Sequence, residues 1–292
     1  MSGLRIKSML LIIGCAFVGS AHAGNWLRNE GETSYSANLK YSTSNKYWDQ
    51  FGNSLPQGCT SESESLYQNI EHGYSYRYTL IGGIGLDNNH CAAKGSSAGF
   101  GDLTLGVRGR LDLERNGKAW EVSAIVPTGY NNQLPLRLGN GRFGVRAGVY
   151  FGDRGDLLAD HYEDYSSDPY KAAPANMATS SWNYGVDVTF WEGPPANQLG
   201  AYIRYGDQLS QDWRASAELK GNWSLGHGTP EPILGVPWLR ASWHDVVTAK
   251  LDFSRNIGDG WSMSISPEMN VWGRNASQAT AISIGLHKLW GN

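Results

Sequence analysis

The segment Thr280–Trp290 constrains the fold more than any other stretch of the sequence. Its apolar side chains alternate with small or polar ones, and this period of two is typical of a β-strand. One face carries Ile282, Ile284, Leu286 and Trp290, and the other carries Ala281, Ser283, Gly285 and His287. An alternating strand that ends in an aromatic residue near the C-terminus is typical of outer-membrane β-barrels. The pattern therefore predicts a membrane barrel that this segment closes by pairing with residues 33–43.

The N-terminal segment predicts export from the cytoplasm. Basic residues precede a short apolar run, and small residues follow at the positions that signal peptidase recognises, which indicates cleavage between Ala23 and Gly24. Residues 1–23 are then a signal peptide, and residues 24–292 form one barrel domain. A lipoprotein cleavage box at Cys15 is the alternative interpretation, in which an acylated cysteine anchors the chain.

The composition argues against several other classes of protein. The net charge of -3 lacks the basic excess of a nucleic-acid-binding protein, so we expect no nucleic-acid partner. The chain contains 37 Gly, 12 Trp and 15 Tyr but few charged residues, which is unlike disordered or disulfide-rich proteins. No apolar stretch after residue 23 has the length of a membrane-spanning helix. A mature chain that spans a membrane must then be a closed barrel, because only helices and barrels satisfy every backbone polar group in lipid.

Alternating stretches recur along the chain and predict an all-β, antiparallel up-and-down barrel of about twelve strands. The dipeptide Asn116-Gly117 predicts a tight turn between the fourth and fifth strands. The predicted strands are 33–43, 63–72, 76–86, 100–113, a fifth that ends at Pro127, 142–151, 182–191, 199–206, 213–225, 246–255, 261–272 and 280–290. A β-bulge is expected near Pro267, because proline donates no hydrogen bond to the ladder.

The predicted connections differ between the two ends of the barrel. Most of those assigned to the cell exterior are long, at 44–62, 87–98, 128–141 and 226–245. Most of those assigned to the periplasm are short, at 72–75, 114–118, 207–212 and 256–260. A non-strand insert at 153–181, rich in acidic residues and Tyr, interrupts the pattern. It is interpreted as a periplasmic loop, as two further strands of a 14-strand barrel, or as a plug in the lumen.

The outward side chain nearest the predicted periplasmic end is aromatic in ten of the twelve strands. Such rings belong where lipid headgroups meet water. The predicted periplasmic girdle consists of Tyr35, Tyr76, Trp120, Phe151, Trp182, Tyr205, Trp213, Phe253, Trp261 and Trp290. Lys288 shares this face, where a charge near the interface costs about 0–1 kcal/mol.

The opposite faces of the strands carry charges of both signs. The predicted lumen-lining residues are Lys40, Arg77, Asp102, Arg108, Arg110, Glu121, Arg142, Arg146, Asp187, Arg204, Arg214, Glu218, Lys220, Lys250, Asp252 and Glu268. One interpretation is a narrow, weakly anion-preferring pore with an internal field. The other is a lumen closed by ion pairs, since charges that face a small interior are expected to pair.

Two cysteines remain after removal of the signal peptide. Cys59 and Cys91 both fall in predicted exterior loops. The oxidising cell envelope favours a disulfide between them, which would join the first two exterior loops. Two unpaired thiols are the alternative.

Three short stretches resemble a known family. They are Phe100–Gly106 at the start of a strand, Val126–Gly129 at the end of the next, and Leu138–Phe143 before another. Their order and spacing are similar to those of the outer-membrane transporters associated with the meta-pathway of phenol degradation. The resemblance implies a barrel with a suspected role in the uptake of small, often aromatic molecules. The insert at 153–181 departs from the family pattern.

The sequence favours a channel or transporter-like barrel in the outer membrane of a Gram-negative bacterium. The expected partners are outer-membrane lipid, the barrel-assembly machinery through the C-terminal strand, and an unidentified small solute. No catalytic residues, cofactor or metal are expected, because neither His161 nor His244 lies in a recognisable hydrolase or metal motif. The alternatives are a structural or adhesive barrel without an open pore and an outer-membrane hydrolase.

Overall fold

A computed structural model of the chain describes residues 27–111, 117–130, 136, 138–154, 180–193, 196–226 and 243–291. The predicted signal peptide with its cleavage site, Cys15, the Asn116-Gly117 turn in part, and most of the acidic insert lie outside these residues. Within the described part of the chain, no helix has both the length and the apolar character needed to cross a membrane.

Alternation of apolar and polar side chains makes the described residues fold as antiparallel strands. The strands are β1 (Thr33–Trp48), β2 (Ser54–Ser75), β3 (Tyr78–Cys91), β4 (Gly95–Arg110), β5 (Lys118–Val126), β6 (Gly144–Arg154), β7 (Ser181–Trp191), β8 (Gln198–Gln208), β9 (Trp213–Ser224), β10 (Asp245–Gly258), β11 (Trp261–Arg274), β12 (Ala276–Ser277) and β13 (Thr280–Trp290). Twelve of them form a closed barrel, and the two-residue β12 pairs with the outer end of β1. The end at which β1 begins and β13 ends is termed the periplasmic end, following the predicted orientation, and the opposite end the exterior end.

The barrel closes between β1 and β13, as the sequence predicts. The register runs without interruption from Thr33 opposite Trp290 to Thr43 opposite Thr280. On β13 the apolar side chains are exposed, Ile284 by 47%, whereas the polar face is covered, with His287 6% exposed. This is the reverse of a soluble protein and is the arrangement expected of a barrel in lipid.

The twelve-strand count is confirmed and the 14-strand alternative is wrong. Strands β6 and β7 pair directly, from Gly144 opposite Trp191 to Arg154 opposite Ser181. No barrel strand can therefore lie between them, and the predicted insert connects two neighbouring strands.

Two predicted exterior loops, 44–62 and 87–98, are wrong. The hairpin β1–β2 continues to Trp48 opposite Ser54, and the hairpin β3–β4 continues to Cys91 opposite Gly95. The misassigned residues 44–62 and 87–98, together termed the exterior arm, are mostly polar on both faces. They therefore lack a clear period-two signal although their backbones pair. Side-chain polarity marks the end of the lipid contact, whereas backbone pairing marks the end of the strand.

A tight turn closes the first hairpin at the tip of the exterior arm. Asp49 Oδ1 accepts hydrogen bonds from the backbone N–H groups of Phe51 and Asn53, both at 2.8 Å. Asn53 Nδ2 donates to Asp49 Oδ2 at 3.0 Å, and this side-chain hydrogen bond is the main cause that lowers the pKa of the Asp49 carboxyl. Asp side chains stabilise turns in this way, so five residues suffice where the sequence predicted a long loop.

The predicted disulfide is present and joins the two hairpins of the exterior arm to each other. Cys59 on β2 and Cys91 on β3 are bonded, with their Cα atoms 6.0 Å apart. Because the two strands belong to different hairpins, the bond fixes the outer parts of both hairpins to each other.

Replacing both cysteines by serine is expected to loosen the exterior arm. The disulfide closes a segment with a sequence separation of 32 residues and lowers the conformational entropy of the unfolded chain. This effect stabilises the folded state by about 3–4 kcal/mol. We expect new protease cleavage within the arm, while the barrel below it keeps its heat-modifiable migration in SDS gels. Identical cleavage of the serine variant and the oxidised wild type would contradict this role.

The bulge predicted near Pro267 is absent at the proline itself. Pro267 lies opposite Ile282 in an unbroken register with β13. The two register shifts between β10 and β11 fall instead between Val247 and Thr248, which face Trp272 and Asn270, and between Asn256 and Gly258. On the outward face, Lys288 Nζ donates to the carbonyl of Asp259 and lies 5.0 Å from the centroid of Trp261, which satisfies its charge at the periplasmic end.

Candidate functional site: the charged lumen

A ladder of alternating charges crosses the inner wall in the periplasmic half of the barrel. Arg28 Nε lies 2.9 Å from Glu71 Oε2, and Glu71 Oε1 lies 3.2 Å from Arg108 Nη1. Arg108 donates from Nε and Nη2 to Glu121 Oε2, at 3.2 and 3.0 Å. Glu121 Oε1 lies 3.7 Å from Arg146 Nη2. Each carboxylate therefore bridges two cations, which is how buried charges are stabilised away from bulk water.

A second group of charges lies on the opposite side of the barrel. Lys40 on β1 forms an ion pair with Glu268 on β11, although β13 lies between these strands. Arg204 on β8 forms an ion pair with Glu218 on the adjacent β9. Lys250 on β10 lies opposite Glu218 of β9 and opposite Glu268 of β11 in the strand register. The contact across an intervening strand shows that these side chains share the inner face.

Several inward side chains lie flat against glycines of the neighbouring strand. A Cβ atom on Gly185 would lie 2.3 Å from Tyr150 Cδ1 and 3.0 Å from Tyr202 Cε1. A Cβ atom on Gly200 would lie 2.7 Å from Asp187 Oδ2. Only glycine leaves room for these contacts, so the rings and the carboxylate rest on the wall instead of projecting across the lumen.

The residues before β1 turn into the periplasmic mouth, which the sequence reasoning missed. Leu27 and Arg28 are 5% and 8% exposed, and the Arg28 N–H donates to Thr79 Oγ1 at 2.9 Å. The segment is tied to β2 by two backbone hydrogen bonds, from Gly31 N to Gly73 O at 2.9 Å and from Gly73 N to Glu32 O at 2.8 Å. Arg28 thereby supplies the first cation of the ladder.

At the exterior mouth, the connection between β5 and β6 contacts the inner face of β4. Tyr130 donates to Asp102 Oδ1 at 2.7 Å, and the Asn140 N–H donates to Asp102 Oδ2 at 2.8 Å. Thr128 Oγ1 donates to the carbonyl of Gly101 at 2.9 Å. The three stretches that resemble the phenol-pathway family are thus in contact, since Thr128 of the second and Asn140 of the third bond Gly101 and Asp102 of the first.

The other predicted lumen residues occupy different settings. Arg77 lies in the exposed turn after β2, where its guanidinium carbon is 5.1 Å from the centroid of Tyr76, so its assignment to an inward strand position is wrong. Arg142 precedes the first residue of β6, so its strand assignment is also wrong. Asp252 accepts a 2.6 Å hydrogen bond from Ser266. Arg110, Arg214 and Lys220 lie on strands at inward register positions.

Many of the predicted girdle residues contact another aromatic ring or a cation. Trp182 and Tyr205 have centroids 4.8 Å apart, and Phe151 stacks on Tyr184 at 5.2 Å. Trp120 contacts Tyr78 edge to face at 6.2 Å. Tyr76 lies in a turn, outside the strands. The role of these rings at a lipid interface stays a prediction.

The part of the chain that the structure describes contains no cluster of His, Cys, Asp or Glu suited to a metal ion. His161 lies outside it. His244 is described, and the Ser224 hydroxyl accepts a hydrogen bond from its backbone N–H at 2.9 Å and donates one to its carbonyl at 2.8 Å.

Comparison with known proteins identifies the fold. No family model and no curated protein matches the sequence. The chain is similar to the crystal structure of an outer membrane channel from Pseudomonas putida F1, with a TM-score of 0.71, 14% identity, and coverage of 93% of this chain and 100% of that chain. Two others are the monoaromatic hydrocarbon channel CymD (TM-score 0.45, 8% identity, 91% and 90% covered) and the KdgM porin (0.42, 8%, 87% and 98%). The first likeness establishes that this chain has the fold of an outer-membrane β-barrel.

Proposed function

We propose that the protein is a narrow, passive channel for small solutes in the outer membrane of a Gram-negative bacterium. The observation that carries this proposal is the flat packing of Tyr150, Tyr202 and Asp187 on glycines of the inner wall. A barrel with a purely structural role gains nothing from keeping long side chains out of its interior. A channel requires it.

The strand number is consistent with a narrow lumen. An eight-stranded barrel is filled by its own side chains, whereas barrels of about 16–18 strands leave a wide aqueous channel. Twelve strands fall between these limits, so the inward side chains decide the free cross-section. Here Tyr150, Tyr202 and Asp187 lie along the wall, and the charges of the ladder are paired with one another.

The proposed solutes are small and include aromatic molecules. This part of the proposal rests on the three stretches that resemble the phenol-pathway transporters, which contact one another through Gly101 and Asp102. CymD is named as a monoaromatic hydrocarbon channel, but its structural similarity to this chain is too low to support the solute class. The charged wall would favour aromatic solutes that also carry a polar or anionic group.

The proposal includes the route of assembly. Strand β13 presents alternating apolar side chains and ends at Trp290, and it pairs with β1 to complete the barrel. We propose that the barrel-assembly machinery recognises this strand and inserts the protein among outer-membrane lipids.

Purified protein in a planar lipid bilayer is expected to give small, discrete conductance steps. Liposomes that contain it should admit small aromatic carboxylates faster than sugars of several rings, because the lumen is narrow and polar. An absence of both channel events and solute entry, with protein whose heat-modifiable migration proves folding, would instead support the structural-barrel alternative.

A glycine variant tests whether the flat packing of side chains on the inner wall keeps the channel open. Gly185→Ala is expected to lower the conductance, because its Cβ atom must push the Tyr150 ring off the wall and into the lumen. Gly206→Ala is the matched control, since the nearest atom to its Cβ would be Ser216 Cβ at 3.3 Å, so only a small adjustment is required. Equal conductance of the two variants would contradict the role of the flat side chains.

A further inference from the structure

A bulge in β4 directs Asp102 towards the lumen at the exterior mouth. The register between β3 and β4 shifts between Ile84 and Leu86, which face Leu103 and Phe100 respectively. Gly101 and Asp102 are therefore the two residues that oppose one residue of β3. Bulges of this kind often redirect a side chain at the rim of a barrel.

The described residues of the β5–β6 connection, 127–130, 136 and 138–143, are termed the mouth loop, and both carboxylate oxygens of Asp102 accept hydrogen bonds from them. Oδ1 accepts from the Tyr130 hydroxyl at 2.7 Å, and Oδ2 accepts from the Asn140 backbone N–H at 2.8 Å. The Tyr130 oxygen in turn accepts from the Gly141 N–H. Residues from both halves of the mouth loop are thus fixed to one side chain of the barrel wall.

Apolar packing places the mouth loop on the inner side of β4. Leu136 and Leu138 are 8% and 6% exposed, and the Leu136 N–H donates to Ser97 Oγ at 3.2 Å. A Cβ atom on Gly99 would lie 2.9 Å from Leu138 Cδ1, and one on Gly101 would lie 2.8 Å from the Leu138 carbonyl oxygen. Because Gly101 shares its side of the sheet with the inward Asp87 carboxylate, 2.9 Å from the same Cβ position, the loop lies within the mouth.

The close contact also explains Gly139. A Cβ atom there would lie 2.4 Å from the Tyr130 hydroxyl oxygen and 2.6 Å from Asp102 Oδ1. Only glycine lets the backbone of the loop approach the carboxylate so closely. The glycine, the tyrosine and the aspartate therefore form one fitted contact.

We propose that Asp102 is the positioning residue that latches the mouth loop inside the exterior mouth, so that the latched loop restricts solute flux. The inference rests on the proposed channel function and adds the element that limits passage. Pore constrictions in channels are set by what projects into the lumen. Here the latch requires a group that accepts two hydrogen bonds, one on each oxygen.

Asp102→Asn tests the latch with almost no change of shape. One amide position of asparagine carries N–H donors. Facing Asn140 it sets two donors against each other, and facing Tyr130 it removes the acceptor of the hydroxyl hydrogen, so one of the two original hydrogen bonds is lost in either orientation, together with the negative charge. The added variant Leu138→Cys reports the position of the loop, because Cys59 and Cys91 are bonded and the new thiol is free to react. We expect an impermeant maleimide, added to intact cells, to label Leu138→Cys slowly and the double variant Asp102→Asn/Leu138→Cys at least about tenfold faster.

Two further variants keep the test specific. Tyr130→Phe removes one of the two donors and is expected to give an intermediate labelling rate. Asp252→Asn alters an inward carboxylate that bonds Ser266, away from the mouth loop, and should leave the labelling rate of Leu138→Cys unchanged. Equal labelling with and without Asp102→Asn would overturn the latch.

Conductance measurements distinguish failure of the proposed latch from failure of the proposed channel function. Asp102→Asn is expected to raise the single-channel conductance about twofold or more, since the cross-section of the mouth increases. Faster labelling with an unchanged, measurable conductance would overturn the role of the loop in flux. Faster labelling with no channel events in any variant would overturn the proposed channel itself, and with it that role.

Discussion

Replacing Glu121 by alanine is expected to destabilise the folded barrel by about 3–5 kcal/mol, because truncation of one partner leaves buried charge without compensation. Glu121 is 6% exposed and receives two hydrogen bonds from Arg108, at 3.2 and 3.0 Å. Ser123 donates to its other oxygen at 2.9 Å, and Arg146 lies 3.7 Å from that oxygen. Alanine removes all four contacts at once and leaves the Arg108 guanidinium with Glu71 alone.

Urea unfolding in lipid vesicles, followed by Trp fluorescence, measures this loss directly. The matched control is Glu64→Ala, since Glu64 is exposed and receives one hydrogen bond, from Asn88 at 3.0 Å. Changes at such surface sites usually stay within about 0.5 kcal/mol. If the two alanine variants unfold at the same urea concentration, the charge ladder contributes nothing to stability and serves only the lumen.

The double substitution Arg108→Met with Glu121→Met separates stability from specificity. Replacing a buried ion pair by apolar side chains of similar volume is often neutral or stabilising. We therefore expect the doubly substituted barrel to recover most of the stability that Glu121→Ala loses. Its ion selectivity should nevertheless change, because a pair of fixed charges has left the inner wall.

The period of two predicted the barrel because lipid and lumen impose opposite demands on alternate side chains. Wherever a strand lies in the membrane, as in Thr280–Trp290, its two faces differ in polarity, so the sequence pattern identifies the strand. In the exterior arm both faces meet water, so alternation disappears although the backbone pairing of residues 44–48 and 54–62 continues. Sequence periodicity therefore located the lipid contact of each strand better than it located the strand ends.

The candidate site was only partly predictable. Inward charges such as Glu121 and Glu268 follow from strand parity, but their partners do not, because pairing across the barrel depends on the stagger between strands. Arg28 precedes the first periodic stretch, so no pattern marks it. The sequence predicted Asp102 only as one of sixteen charged residues that line the lumen. Its contacts with Tyr130 and Asn140 join residues that are 28 and 38 positions away, and the three family-like stretches were the available signal.

Replacing Gly73 by alanine is expected to release the segment 27–32 from the periplasmic mouth. The added Cβ atom would lie 1.8 Å from the backbone oxygen of Asn29 and 2.6 Å from its carbonyl carbon. Backbone atoms cannot rotate away as the end of a side chain can. Relief of the overlap therefore requires the segment to move as a unit, which breaks its two hydrogen bonds to Gly73 and withdraws Arg28 from Glu71.

Trypsin reads out this release, because Arg28 is buried in the wild type and becomes a cleavage site when the segment leaves the mouth. We expect cleavage after Arg28 in folded Gly73→Ala protein to be at least about tenfold faster than in the wild type, since proteolysis tracks the open population. Gly206→Ala, another glycine substitution near the periplasmic end but with room for its Cβ atom, should match the wild type. The barrel strands themselves should stay resistant in all three proteins, because their backbones remain paired. Cleavage at the wild-type rate in Gly73→Ala would show that the contact between Gly73 and Asn29 does not hold the segment, and that the Arg28–Glu71 ion pair is sufficient to retain it.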